Sequence, residues 1–294
     1  MSHALVVASP DRHGYAEALS VIGRRVGSWG AAPPRVLSPW EACEWAVPAP
    51  PSDARAILAT WMDDVAADWA LVPAQGRRKR LLVADMDSTI IGCECIDELA
   101  DFAGRKAEIS AITERAMRGE LDFESALTAR VAMLKGLPLD ALERCFAERV
   151  RLNPGAETLV RTMAAHGARC VLVSGGFTFF TSRVAALAGF HDHRANTLID
   201  DGATLTGAVG APILGRTAKL TAMEDEARAL GVSVADALAL GDGANDLAMI
   251  AAAGLGVAYR AKPVVAAEAD AQIRHTTLET ALFFQGYARA EFVV

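Results

Sequence analysis

The sequence predicts an α/β protein with a doubly wound parallel sheet and a helical insertion, preceded by a small α+β region of βαββαβ order. All five tryptophans precede residue 80 and the basic run at 77–80, so the composition changes along the chain. Beyond that run, short apolar segments end in Gly, Ser or Asp and alternate with helical patterns, which is typical of a parallel sheet covered by helices. We therefore expect two domains, at residues 1–76 and 77–294.

Composition narrows the class of protein. The chain has 294 residues, 52% of them hydrophobic, so it can bury a sizeable core. Its formal charge of −7 argues against nucleic acid as the main partner. The basic run at 77–80 is interpreted as a solvated linker. Five irregularly spaced cysteines predict no disulfide framework, and the sequence shows neither a signal peptide nor an apolar run long enough for a bilayer. A cytoplasmic protein without a membrane partner is expected.

The first region alternates short apolar runs with helical patterns. The predicted elements are the strands Ala4–Ala8, Arg35–Leu37, Ala42–Val47 and Ala70–Val72, and the helices Tyr15–Val26 and Ser52–Ala67. This order is a split βαβ arrangement. No group of chemically active residues is evident in it, so a packing or regulatory module is expected.

The second region contains the runs of the parallel sheet. They are Leu81–Ala84, Arg169–Val173, Ala237–Leu240 and, less clearly, Gly256–Ala258. The first three end in polar clusters, namely Asp85 with Asp87, Ser174-Gly175-Gly176, and Gly241-Asp242-Gly243. Because ligands of open α/β sheets bind outside the carboxyl ends of the strands, a functional site is predicted there.

Two further segments complete the second region. Residues 96–154 are predicted to be helical throughout, with one apolar stripe at Phe123, Leu127, Val131 and Leu134. This insertion follows the first strand of the sheet, where a lid over the site would lie. Asp201-Gly202 between alternating apolar residues predicts a hairpin over 197–206.

Four carboxylates fall at or just past predicted strand ends: Asp85, Asp87, Asp242 and Asp246. Gathered at one place, they would repel each other unless a cation neutralised them. An all-oxygen site of this kind suits Mg²⁺. The alternative is that each aspartate caps the next helix, but four aspartates beside Gly-rich turns favour a metal site.

Groups suited to a phosphate lie in the same clusters. Ser174 supplies a hydroxyl, and Gly175 and Gly176 allow main-chain N–H groups to approach an anion. Lys219 begins a helical pattern and can bring one positive charge to a phosphoryl group. By itself, a lysine on a helix is more often a solvated residue.

These motifs resemble those of the haloacid-dehalogenase (HAD) phosphatase superfamily. The stretch DMDST at 85–89 is similar to its DxDx(T/V) nucleophile motif, and Ser174, Lys219 and GDGAND at 241–246 are similar to its second, third and fourth motifs. Within the superfamily, the sequence most resembles the phosphoserine phosphatase family. The matching features are Glu94 in GCECIDELA, Met117, Phe123, Arg130, the SGGF of 174–177 and the GDGANDLAMI of 241–250.

The resemblance implies a HAD-like fold and Mg²⁺-dependent hydrolysis of O-phospho-L-serine, the last step of serine biosynthesis, through an aspartyl-phosphate. It implies that Asp85 is the nucleophile and that Asp87 is the general acid and base. Mg²⁺ would be held by Asp85, the main-chain carbonyl of Asp87, and Asp242. Asp246 and Asn245 would orient neighbouring groups, and Asn245 would also bind the substrate.

The resemblance also assigns the remaining site residues. Ser174, the Gly175 N–H and Lys219 would stabilise the phosphoryl oxygens. Glu94 would bind the substrate ammonium and Arg130 its carboxylate, while Met117 and Phe123 would wall the pocket. The alternative for these last four is that they are ordinary surface charges and core residues.

Other functions remain open. The same chemistry could act on phosphothreonine or phosphohomoserine, or transfer the phosphoryl group to an alcohol. The βαββαβ region resembles ACT modules, which bind amino acids in regulated enzymes, but a structural or homodimerising role is at least as well supported. A serine-binding regulator with an inactive second domain is disfavoured by the presence of Asp85, Asp87, Lys219 and Asp242 together.

Overall fold

The computed structural model describes residues 2–117, 120–215 and 217–294. Its first region consists of β1 (His3–Ala8), α1 (Arg12–Gly23), β2 (Arg35–Ser38), β3 (Ala42–Val47), α2 (Ala54–Met62) and β4 (Asp68–Pro73). The strands form an antiparallel sheet in the order β2-β3-β1-β4. Since β3 lies between β1 and β2, the predicted split βαβ arrangement is confirmed. Helix α1 starts earlier than predicted because the Asp11 side chain accepts a hydrogen bond from Gly14 N at 2.9 Å and caps it.

The second region contains more elements. Its strands are β5 (Leu81–Ala84), β6 (Arg169–Phe177), β7 (Asp192–Asn196), β8 (Leu198–Asp200), β9 (Leu205–Val209), β10 (Ala237–Gly241), β11 (Leu255–Tyr259) and β12 (Ala271–Ile273). Its helices are α3 (Cys95–Phe102), α4 (Lys106–Met117), α5 (Phe123–Ala132), α6 (Leu139–Arg149), α7 (Ala156–Ala165), α8 (Thr178–Ala188), α9 (Ala218–Leu230), α10 (Leu247–Ala252), α11 (Pro263–Glu268) and α12 (Thr280–Phe284).

Six of these strands form a parallel sheet in the order β12-β11-β10-β5-β6-β7. The four strands predicted from apolar runs are confirmed. The two edge strands, β7 and β12, were not predicted, because DHRAN is polar and AQI is only three residues long. The central strands are buried on both faces, which explains their continuous apolar sequences.

Helices α3 to α6 form the insertion between β5 and α7, so its predicted helical character is confirmed for the described residues. We call these four helices the cap. Strands β8 and β9 form the predicted hairpin. The hairpin packs on the cap, with Gly136 N donating to Leu205 O at 2.8 Å and Leu139 N donating to Ala203 O at 3.0 Å. The sequence does not predict this association.

The two sheets belong to one packed structure. In β1, Leu5 and Val7 face α1 and α2, whereas Ala4 and Val6 belong to the core that also contains α12. At the end of this interface, the buried carboxylate of Asp68 accepts hydrogen bonds from the main-chain N–H groups of residues 274–276.

The connection between the sheets is not a solvated linker, so that interpretation of the basic run is wrong. Arg77 forms a largely buried ion pair with Glu44 at 2.5 Å. Lys79 is buried, and its ammonium donates to Gly76 O at 3.0 Å and Ala235 O at 2.9 Å. These basic side chains hold the connection against both regions. Among the described helices, none has the length and apolarity needed to cross a membrane.

Candidate active site

The polar clusters predicted from the sequence meet at one edge of the parallel sheet. Strand β5 lies between β10 and β6, and its last residue, Ala84, pairs with Leu240 on one side and with Leu172 on the other. Asp85 and Asp242 directly follow their strands, and Ser174 lies inside the extended β6. Parallel pairing therefore brings together residues that are far apart in the chain.

Lys219, in the first turn of α9, lies between two buried carboxylates. Its Nζ is 2.7 Å from Asp85 Oδ1 and 2.5 Å from Asp246 Oδ1, and the three side chains are 5%, 8% and 0% exposed. Burial by itself lowers the pKa of Lys219, but the charges of the two carboxylates outweigh burial and leave the pKa raised. The ammonium therefore stays charged next to Asp85.

Asp246 also holds the turn that carries Asp242. Its Oδ2 accepts hydrogen bonds from Asp242 N at 3.2 Å and Gly243 N at 3.0 Å. A Cβ atom at Gly241 would lie 2.4 Å from Asp246 Cγ, so the close approach requires glycine there. Asp246 thus contacts both Lys219 and the turn that carries Asp242, and its predicted role as an orienting group stays a prediction.

The side chains of Asp85, Asp242 and Asp246 form a candidate metal site. One oxygen from each lies within 4.8 Å of the others. Burial raises the pKa of Asp85 well above its usual range, and Asp246 raises it further. Burial, followed by the charge of Asp246, raises the pKa of Asp242 to about 6. These three carboxylates lie close to one ammonium, that of Lys219, and a divalent cation would relieve their remaining repulsion.

The carboxylate of Asp87 is not part of that group. Its Oδ1 accepts from Cys95 N at 2.9 Å, and its Oδ2 accepts from Ser174 Oγ at 3.1 Å. Burial, together with the charge of Glu94, raises the pKa of Asp87 to about 6. A carboxyl group with this pKa can both give and take a proton near neutral pH. The main-chain carbonyl of Asp87 as a metal ligand stays a prediction.

The turn that follows β5 carries two contributions that the sequence did not predict. Ser88 has a left-handed backbone, with φ of 56°, and its hydroxyl donates to Glu94 Oε1 at 2.6 Å. The hydroxyl of Thr89 donates to Asp242 Oδ1 at 3.1 Å. Both residues belong to the DMDST stretch, so a signal was present, but their partners depend on folding.

A small cleft lies at the end of β6 and the start of α9. It is lined by residues that include Phe123, Ser174, Gly175, Lys219 and Asn245. The structure therefore brings together the groups predicted for the phosphate and one aromatic residue of the cap. A Cβ atom at Gly175 would lie 3.0 Å from Phe123 Cζ, so the cap packs directly on this loop.

Asn196 supports the same loop and has no recognisable sequence signal. Its amide donates to Gly175 O at 2.9 Å, and its oxygen accepts from Leu214 N at 2.7 Å. Asn196 is fully buried at the end of the edge strand β7. It ties the end of β6, at Gly175, to the segment that precedes α9.

The remaining predicted residues lie in or near the cap. Arg130 is partly buried in α5, and its Nε donates to Ala126 O at 3.2 Å. Burial lowers the pKa of Arg130, whereas the negative charges of Asp97 and Glu94 act to raise it. The guanidinium of Arg130 therefore lies near enough to the exposed Glu94 to interact with its charge. Met117 ends α4, and its side chain lies outside the described part of the structure.

Comparison with known proteins agrees with this geometry. Residues 82–251 match the family model for haloacid dehalogenase-like hydrolases. The chain is 42% identical to a phosphoserine phosphatase from Streptomyces coelicolor over 284 residues, which cover 94% of this chain and 69% of the relative. The chain belongs to the phosphoserine phosphatase family of HAD-like hydrolases.

Solved structures of this family support the fold. A HAD family hydrolase from Salmonella enterica serovar Typhi has a TM-score of 0.85 and 30% identity, with 96% of this chain and 98% of that one covered. The likeness thus includes the N-terminal α+β region. A phospho-aspartyl intermediate analogue of phosphoserine phosphatase has a TM-score of 0.65 and 37% identity, covering 70% of this chain and 98% of that one.

Proposed function

We propose that this member of the family hydrolyses O-phospho-L-serine to L-serine and phosphate through a phosphoryl group carried on Asp85. The observation that carries the proposal is the pairing of buried Asp85 with Lys219, beside a second carboxyl group on Asp87 that can hold a proton. The substrate follows from the similarity to phosphoserine phosphatases.

In the first step, a carboxylate oxygen of Asp85 attacks phosphorus and the bond from phosphorus to the serine oxygen breaks. The leaving oxygen takes the proton of Asp87, so serine departs with a neutral hydroxyl. The raised pKa of Asp87, about 6, supports its presence as an acid in part of the molecules near neutral pH. The hydrogen bond from Ser174 holds this carboxyl group in place.

In the second step, water attacks the phosphorus of the aspartyl-phosphate. Asp87, now ionised, accepts a proton from that water, and the bond to Asp85 breaks. Phosphate leaves, Asp85 regains its carboxylate, and Asp87 regains its proton. The cycle needs no further acid or base.

The charge that accumulates on the phosphoryl oxygens needs stabilisation in both steps. Lys219, the Ser174 hydroxyl and the Gly175 N–H line the cleft where these oxygens would lie. Asp85, Asp242 and the Asp87 carbonyl would hold Mg²⁺, which when bound neutralises part of the phosphoryl charge. Asp246 and Asn245 keep the surrounding groups oriented.

Glu94 and Arg130 would recognise the serine part of the substrate. The carboxylate of Glu94 suits an ammonium, and the guanidinium of Arg130 suits a carboxylate. Phe123 and Met117 would exclude water from the pocket, which strengthens both ionic contacts. The contact of Phe123 with the Gly175 loop supports this placement.

A panel of phosphomonoesters tests the proposal, with phosphate release measured with Mg²⁺ and with a chelator. Phosphoserine, phosphothreonine and phosphohomoserine compare related amino acids. Phosphoethanolamine lacks the carboxylate, and 3-phosphooxypropanoate lacks the ammonium. Glu94→Gln should lower the rates of substrates that carry the ammonium, and Arg130→Gln those that carry the carboxylate. Equal rates across the panel would refute the assignment of these two residues.

Three further proposals concern the whole chain. Residues 1–76 form an accessory module ahead of the phosphatase domain at 77–294, with the cap insertion at about 96–154. A homodimer through this module is supported by the exposed side chains of Val36 on its edge strand β2 and of Trp40 in the turn that follows β2, and the molar mass in solution tests it. A cytoplasmic location is supported by the five unpaired cysteines.

A further inference from the structure

Asn153 lies where the chain returns from the cap to the sheet. The chain enters the cap through Ile91 and Gly92 and leaves it through Arg151 and Leu152. These two segments touch, with an antiparallel bridge between Ile91 and Leu152 and a hydrogen bond from Gly92 N to Arg151 O at 3.2 Å. This paired connection is the point at which the cap joins the sheet domain, and we call it the hinge.

Asn153 binds three consecutive carbonyl groups on the entering segment. Its side-chain amide donates to Thr89 O at 2.8 Å and to Ile91 O at 3.0 Å. Its main-chain N–H donates to Ile90 O at 2.8 Å. Because both partners of the side chain are acceptors, the NH₂ group of the amide must face them. An aspartate in its place would put an anion against two carbonyl oxygens.

The chain on the C-terminal side of Asn153 is fixed by contacts with α7 and with the segment that precedes α12. The carbonyl of Asn153 accepts from Ala156 N, the first residue of α7, at 3.0 Å. Pro154 O accepts from Leu278 N at 3.0 Å, and a Cβ atom at Gly155 would lie 2.7 Å from Glu279 N. Asn153 therefore links a fixed part of the phosphatase domain to the hinge.

The nucleophile is held by contacts that do not involve Asn153, whereas two hydrogen bonds of the hinge come from the Asn153 side chain. Asp85 N donates to Leu240 O at 2.9 Å, and its carboxylate pairs with Lys219. Loss of the Asn153 amide would leave these contacts in place. It would remove the two side-chain hydrogen bonds to Thr89 and Ile91 and loosen the chain at 89–92, which leads directly to Glu94 and the first cap helix.

We propose that Asn153 is a positioning residue that sets the placement of the cap over the active site. Through the cap it controls the selectivity for substrates that contact Glu94 and Arg130. This role rests on the proposed recognition of the serine part by those two residues. It is separate from the chemical steps on Asp85.

The test compares Asn153→Ala and Asn153→Asp with Gln272→Ala. Gln272 is a matched control, because its side-chain amide also donates to a main-chain carbonyl, Ala266 O at 2.9 Å, but on the outer strand β12. Values of kcat and KM are measured for phosphoserine and for p-nitrophenyl phosphate, which lacks the amino and carboxylate groups. Hydrogen exchange of the Ile91 and Gly92 amides reports the hinge directly.

Both Asn153 variants should lose about 10- to 100-fold in kcat/KM for phosphoserine, the scale of a displaced catalytic geometry. Their activity on p-nitrophenyl phosphate should fall by a clearly smaller factor, and exchange at 91–92 should accelerate. The Gln272 variant should change neither. A general loss of folded protein would lower both activities together, which separates misfolding from mispositioning.

Two results would overturn the inference. One is an unchanged ratio of the two activities in Asn153→Asp when the wild type prefers phosphoserine. The other is unchanged exchange at 91–92. If the wild type itself shows no preference, the proposed recognition by Glu94 and Arg130 fails, and the exchange measurement alone decides the role of Asn153 at the hinge.

Discussion

Replacing Lys219 with methionine removes the ammonium that lies between Asp85 and Asp246 while keeping a side chain of similar length. Both carboxylates are buried, at 2.7 and 2.5 Å from the lysine nitrogen. Removing one partner of a buried ion pair costs about 3–5 kcal/mol, because the remaining charge is left uncompensated. Asp85 keeps a hydrogen bond from Met86 N, and Asp246 keeps two from main-chain N–H groups. We therefore expect the lower end, about 3 kcal/mol.

The destabilisation caused by Lys219→Met should depend on pH. Without Lys219, the pKa of Asp85 rises further above its unfolded value, so the folded state binds a proton more readily than the unfolded state. The loss of unfolding free energy in Lys219→Met, relative to wild type, is therefore largest at pH 8. It becomes smaller as the pH falls and Asp85 becomes neutral. Lysine itself is charged across this range, so its own titration does not contribute.

Urea denaturation at pH 5 and pH 8, with a chelator present, measures both effects. Lys79→Met is the matched control, because Lys79 is also a buried lysine but its ammonium donates to main-chain carbonyls. The unfolding free energy lost in Lys79→Met should change less between pH 5 and pH 8. A cost below about 1 kcal/mol for Lys219→Met, the range of an exposed ion pair, would refute the reasoning. So would an equal cost at both pH values. The same variant should lose about 10²- to 10³-fold in kcat, as for removal of one charge-stabilising donor.

Three other predictions follow from the same geometry. Asp85→Asn should abolish phosphate release while circular dichroism shows a native fold; retained turnover would exclude Asp85 as the nucleophile. In metal-free protein, folding raises the pKa values of Asp87 and Asp242 from 3.8 to about 6. Between pH 3.8 and about 6, the folded state therefore binds more protons than the unfolded state. The free energy of unfolding should therefore fall as the pH rises from about 4 to about 6, by up to about 3 kcal/mol for Asp87, and Mg²⁺ should reduce the fall in urea titrations. Asp68→Ala should cost about 3 kcal/mol by leaving the N–H groups at 274–276 unpaired, and a calorimetric melting temperature equal to wild type would contradict this.

Much of the fold was predictable because it is encoded locally. The apolar runs at 81–84, 169–173 and 237–240 are long enough to identify buried strands, and the helical periodicity of 96–154 identifies the cap. The polar residues that end those strands identify the site, because parallel strands place their carboxyl ends at one edge. The edge strands escaped prediction for two reasons: β7 is only partly buried and has a polar sequence, and β12 is too short to form a recognisable apolar run.

The sequence by itself determined the kinds of groups at the active site: carboxylates, one lysine, a hydroxyl and Gly-rich turns. The tertiary structure decided how they are paired. It places Lys219 against both Asp85 and Asp246, joins Ser88 to Glu94, and makes Asn153 the support of the cap hinge. It also turned the predicted linker at 77–80 into a contact between two regions, made by the largely buried side chains of Arg77 and Lys79. Each of these outcomes depends on strand register and on packing between distant segments, for which no local pattern of residues is a signal.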